Sequence, residues 1–104
     1  MISTHILDIS QGQPAKGIEV LLEMEQKKDK WVQISLLSTN SDGRIVFDAA
    51  KDPGVYRLTF KIENYFDENF FLNTPVVFQI KNTKRKYHVP LLLSPYGYST
   101  YRGS

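Results

Sequence analysis

Residues 55–63 constrain the fold more than any other stretch. Tyr56, Leu58, Phe60 and Ile62 alternate there with Arg57, Thr59, Lys61 and Glu63. Successive side chains of a strand point to opposite faces, so this segment has one apolar and one wet face, as in a half-buried antiparallel strand. Residues 18–25 behave similarly, with Ile18, Val20, Leu22 and Met24 set against Glu19, Glu23 and Glu25. Residues 31–38 and 74–81 are rich in β-formers but alternate less strictly. Residues 2–9 and 86–93 complete the longer strands, with a short strand expected over 44–47 and a last one over 96–101. The separators carry turn chemistry: Gly12-Gln13-Pro14, Asn40-Ser41-Asp42-Gly43 and Asp52-Pro53-Gly54. Residues 64–69 are expected to form one short helical turn. Seven to eight short strands at regular spacing predict an all-β chain folded as a β-sandwich.

The 104 residues form one expected domain, 1–104. A chain this short buries roughly two-thirds of the surface it exposes when unfolded. That supplies a core between two layers but little room for a deep private pocket, so a small-molecule site is expected in a cleft between subunits. The net charge is only +2. The basic clusters Lys27-Lys28-Asp29-Lys30 and Lys84-Arg85-Lys86 lie between strand-like segments and read as solvated turns, so no nucleic-acid partner is expected. The chain contains no cysteine, which excludes disulfides, thiolate metal sites and a cysteine nucleophile. No apolar run approaches membrane-spanning length, so no membrane partner is expected. Met1-Ile2-Ser3-Thr4-His5 lacks a basic n-region, and the ending is not a Ser-Lys-Leu address. With Met1 as native start, a cytoplasmic location is expected.

The residues able to do chemistry are few. His5 and His88 lie near opposite ends of the chain, each inside an expected strand. His5 shares a face with Ser3, Leu7 and Ile9; His88 shares one with Pro90 and Leu92. Either is a half-buried, hydrogen-bonded histidine or a general base; imidazole suits the latter because its unperturbed pKa of about 6.5 leaves it largely neutral near pH 7. Arg44, just after Asp42-Gly43, is either a solvated turn residue or a charged fork for a carbonyl- or amide-bearing substrate. Arg102 has the same two readings. Residues 96–104 hold three of the six tyrosines, with Arg102 their only charged side chain; such a tail is too aromatic for a frayed end. A Ser104–His88–Asp8 triad lacks the nucleophile-elbow pattern, and two distant histidines without a third ligand do not make a metal site. Neither a phosphate-cradling loop nor a dinucleotide fingerprint is present.

Ser3-Thr4-His5-Ile6-Leu7-Asp8 resembles the N-terminal signature of the 5-hydroxyisourate hydrolases, a transthyretin-related family. Asp42-Gly43-Arg44-Ile45 resembles their central arginine motif, and Pro53-Gly54-Val55-Tyr56-Arg57-Leu58 also fits. Tyr87-His88-Val89-Pro90-Leu91-Leu92-Leu93-Ser94-Pro95-Tyr96-Gly97-Tyr98-Ser99-Thr100-Tyr101-Arg102-Gly103-Ser104 is similar to their C-terminal block almost letter for letter. The resemblance spans essentially the whole chain. One region departs: Leu72-Asn73-Thr74 intervenes where the family commonly runs from paired phenylalanines into proline.

The resemblance implies a transthyretin-like two-sheet sandwich assembled as a homotetramer, with active sites between dimers. It also implies that the strands of His5, Arg44, His88 and the C-terminus share one sheet. The implied reaction is hydrolysis of 5-hydroxyisourate to 2-oxo-4-hydroxy-4-carboxy-5-ureidoimidazoline, with no cofactor and no metal. Water activation falls to a histidine, His88 ahead of His5, which orients water or substrate. Arg44 binds substrate and stabilises negative charge. Tyr101, Arg102 and Gly103 close the cleft, assisted by the Ser104 hydroxyl or terminal carboxylate. The alternative from another class is a transthyretin-like carrier of a small ligand. A monomeric immunoglobulin-like domain would leave the aromatic tail unexplained.

Overall fold

Alternation sorts the side chains, and strand pairing turns the apolar faces toward each other. The computed structural model describes residues 1–103. Nine strands follow in order: β1 (Ile2–Asp8), β2 (Gln13–Pro14), β3 (Glu19–Lys27), β4 (Lys30–Ser38), β5 (Arg44–Phe47), β6 (Gly54–Lys61), β7 (Asn73–Ile80), β8 (Tyr87–Ser94) and β9 (Gly97–Thr100). They form two sheets. One runs β2-β1-β8-β9, with β5 also paired to β1; the other runs β4-β3-β6-β7. The core lies between them. Ile2, Ile6, Val89, Leu91 and Leu93 from the first sheet meet Val20, Leu22, Tyr56, Leu58 and Phe60 from the second, all buried. This is the expected two-sheet sandwich.

Two details differ from the sequence expectation. The added strand is β2, whose two residues pair with Leu7 and Asp8; two residues are too few for periodicity to reveal. The helical turn expected over residues 64–69 does not form, and among the described residues no helix is present. The Tyr65 amide instead bonds back to the Ile62 carbonyl at 3.0 Å. The Asn69 side chain donates to the same carbonyl at 2.6 Å, and the Tyr65 hydroxyl reaches Asp8 Oδ2 at 3.1 Å. The first is a single turn bond, and the two longer-range side-chain bonds draw Asn69 and Tyr65 to partners outside a helical ladder. Among the described residues no helix is long and apolar enough to cross a membrane.

Buried polar groups secure the first sheet from within. Thr4 donates to the Val89 carbonyl at 2.6 Å, linking β1 to β8. The fully buried Asp8 accepts from the Ser10 amide at 3.0 Å and the Gln11 amide at 3.2 Å, closing the turn after β1. Without such partners each buried polar group would cost roughly 1–3 kcal/mol.

Candidate active site

β1 and β8 pair in parallel, with Ser3 beside His88 and His5 beside Pro90. β5 pairs antiparallel with the same stretch of β1, with His5 beside Arg44 and Ser3 beside Val46. On the far side of β8, β9 sets Leu91 beside Thr100, and a further bridge sets His88 beside Gly103. Two adjacent rows therefore cross the outer face of the first sheet. One contains Arg44, His5 and Pro90, and the β9 register continues it to Tyr101. The other contains Val46, Ser3, His88 and Gly103. Residues two apart on a strand share a face, so His5, Arg44 and His88 all stand on the solvent side of this sheet.

Local structure explains each position. Arg44 leaves a turn closed by Asn40, whose Oδ1 accepts from the Asp42 amide at 2.9 Å and the Arg44 amide at 3.0 Å. Gly43 in that turn has φ +73°, and an added Cβ would lie 2.6 Å from the Ile6 carbonyl oxygen. Only glycine combines that backbone with that approach, and through it β5 seats on β1. The Arg44 guanidinium forms no ion pair among the described residues.

His88 is half-buried, and its Nδ1 lies 2.8 Å from Ser3 Oγ. Burial pushes its pKa below the ordinary 6.5, and the positive charges of Arg44 and His5 push the same way; a hydrogen bond with the Ser3 backbone acts in the opposite sense. The ring is thus biased toward its neutral form near pH 7, the form able to accept a proton from water. On its other side the Gly103 amide donates to the His88 carbonyl at 2.8 Å. A Cβ at Gly103 would come within 2.6 Å of His88 Cδ2, so glycine lets the terminal segment lie against the ring.

The structure does not bring every sequence candidate to this face. Strand parity places Arg102 on the opposite side of the terminal segment from Gly103 and Tyr101. Its guanidinium sits 4.9 Å from the centroid of Tyr87. It lines a cavity of about 160 Å³ at the sandwich edge with Phe78, Tyr87, Val89, Thr100 and also Tyr101, a lining that includes neither histidine. Asp8 occupies the core side of β1, whereas His88 occupies the outer side of β8, so the Ser104–His88–Asp8 triad does not assemble. Ser104 itself lies outside the described residues. Among the described residues no three His, Asp or Glu side chains gather as metal ligands. Ser3 and Asn40 are the positions that sequence reading passed over. Ser3 could have been found from its shared face with His5, Asn40 from its place in the turn before Arg44.

Known proteins resemble this chain throughout its length. A sequence model of the HIUase/transthyretin family matches residues 2–103. The chain is 51% identical over 112 aligned residues to a 5-hydroxyisourate hydrolase of Salmonella typhi, covering 100% of this chain and 81% of that protein. The structure of a Klebsiella pneumoniae 5-hydroxyisourate hydrolase superposes with a TM-score of 0.84 at 38% identity, over 99% of this chain and 98% of the other. Sea bream transthyretin in complex with thyroxine superposes with a TM-score of 0.90 at 28% identity, over 98% of this chain and 93% of the other.

Proposed function

The chain belongs to the HIUase/transthyretin family, and we propose that it opens the ring of 5-hydroxyisourate on the outer face of its first sheet. The activity is a hydrolysis in urate degradation. The observation that carries it is the pair of adjacent rows holding Arg44 with His5 and Ser3 with His88. Those side chains come from three strands far apart in sequence, and a fold alone does not require them.

The chemistry needs a deprotonated water, a stabilised oxyanion and a proton for the departing nitrogen. His88 takes a proton from water. The resulting hydroxide adds to the ring carbonyl, and the C–N bond breaks with its electron pair going to nitrogen. The imidazolium then returns the proton to that nitrogen. His5, one row away, orients water or substrate. Arg44 binds the substrate and stabilises the negative charge that develops on the carbonyl oxygen, a role supported by its lack of an ion-pair partner among the described residues. Tyr101 and Gly103 border the site. Ser104 is assigned an assisting hydroxyl or carboxylate. Arg102, which stacks on Tyr87 in the single chain, is given a supporting role at the terminal segment.

The two rows lie on an open sheet face, where Arg44 is exposed and His5 and His88 are only half-buried. This supports closure of the site by a second copy in a homotetramer. A cytoplasmic location belongs to the same proposal. His88→Asn should retain fold and assembly but lose at least about a hundredfold in rate, read from the ultraviolet decay of freshly generated 5-hydroxyisourate. Near-normal decay would overturn the assignment, and a fully active monomer in light scattering would overturn the shared cleft.

A transthyretin-like carrier is the second reading, favoured by the higher TM-score to thyroxine-bound transthyretin. It predicts that added protein leaves 5-hydroxyisourate decaying at its spontaneous rate.

A further inference from the structure

A base acting through one ring nitrogen needs the other held in a defined protonation state. His88 Nδ1 faces β1 and lies 2.8 Å from Ser3 Oγ. The contact follows from register, because the parallel pairing sets Ser3 beside His88 with both on the outer face. The Ser3 hydroxyl oxygen can accept from an Nδ1–H of the neutral ring at this distance. On the opposite side the terminal segment lies against the ring. Gly103 is packed so closely that a Cβ there would lie 3.2 Å from both Cβ and Cγ of His88 and 2.6 Å from Cδ2. The imidazole is thus held between a polar contact on β1 and backbone on the terminal segment.

We propose that Ser3 is a positioning residue for His88: it holds the ring proton on Nδ1 and the ring against Gly103, leaving Nε2 as the atom that faces the reacting water. In a neutral imidazole one nitrogen donates and the other accepts, so fixing the first fixes the second. This rests on His88 being the base. Ser3 itself need not touch the substrate. Among the described residues, the titratable and charged groups facing His88 are His5 on β1 and Arg44 on β5, with Tyr101 from the terminal segment on the same face. Ser3→Ala leaves all three in place, so its effect on the ring can be read separately from theirs.

The test pairs Ser3→Ala with Ser3→Thr and follows the intact assembly by two readouts. Nitrogen-15 NMR of His88 reports the tautomer without reference to turnover. In the wild type Nδ1 should carry the proton at neutral pH; in Ser3→Ala the ring should populate both tautomers, and in Ser3→Thr it should return to the first. The ring-opening assay should show kcat lowered on the order of tenfold in Ser3→Ala, with KM little changed and the acid limb of the pH profile displaced. Ser3→Thr should recover most of the loss. An unchanged tautomer and pH profile in Ser3→Ala would overturn the proposal, as would a wild-type ring protonated at Nε2. Inactive His88→Asn beside fully active Ser3→Ala would leave His88 as base and remove Ser3. Active His88→Asn would remove the base, while the NMR result would still decide whether Ser3 holds the ring.

Discussion

Each sheet displays an arginine on its outer face, and the two are treated differently. On the second sheet, Arg57 is paired with Glu23, its terminal nitrogen 2.7 Å from Oε1 and its Nε 2.9 Å from the same atom. Its guanidinium carbon also lies 4.2 Å from the centroid of Trp31. On the first sheet, Arg44 stands beside His5 with no ion-pair partner among the described residues. One face satisfies its charge within the chain. The other sets Arg44 beside His5 and one row from His88 and, among the described residues, leaves the guanidinium without an ion-pair partner, its charge available to something that arrives. A positive charge left unpaired beside two imidazoles marks the first sheet as the working face.

Removing the two arginines separates these roles most sharply. Arg44→Ala should lower the ring-opening rate on the order of a hundredfold, about 3 kcal/mol in the barrier, with thermal stability little changed. Gly43→Ala attacks the seat of Arg44. The positive φ and the close Ile6 carbonyl make a loss on the order of 2 kcal/mol the expectation in urea unfolding. Arg57→Ala is the reverse of Arg44→Ala: about 1 kcal/mol of stability lost with the pair and the stacking, and a rate within about twofold of wild type. If Arg57→Ala impaired turnover as much as Arg44→Ala, the two faces would not differ in function.

The smallest effect is electrostatic. His88 is held below pH 6.5 by burial first and by Arg44 second. A base must be neutral to act, so the rate should be maintained above that range and lost as pH falls through the lowered pKa. Arg44→Ala removes a charge that opposes protonation, so the His88 titration should move upward in an NMR pH series. A downward or absent shift would mean that Arg44 does not act on the ring.

Much of this was legible in the chain. The alternation of Tyr56, Leu58 and Phe60 with Arg57 and Thr59 foretold which face of β6 is buried, because burial follows the pleat. His5, Arg44 and His88 were identifiable from motif resemblance, and their common sheet was implied by it. The missing helical turn was not legible, since Asn69 and Tyr65 are captured by partners that neighbouring residues do not reveal. Nor was the orientation of Arg102. Its motif placed it with Tyr101 and Gly103, but adjacent residues of an extended segment point oppositely, and the register with β8 sent Arg102 to Tyr87.

The sequence by itself determined the period of two, the turns that cut it into strands, and the residue types available for catalysis. These are local properties, set by backbone sterics and by the partition of each side chain between water and core. Only the tertiary structure decided that β1 runs parallel to β8 with Ser3 beside His88, and antiparallel to β5 with His5 beside Arg44. A slip of one residue in either pairing would turn the shifted strand's side chains to the other face. The local pattern names the two faces of each strand, whereas packing of both sheets around one core fixes how those faces align.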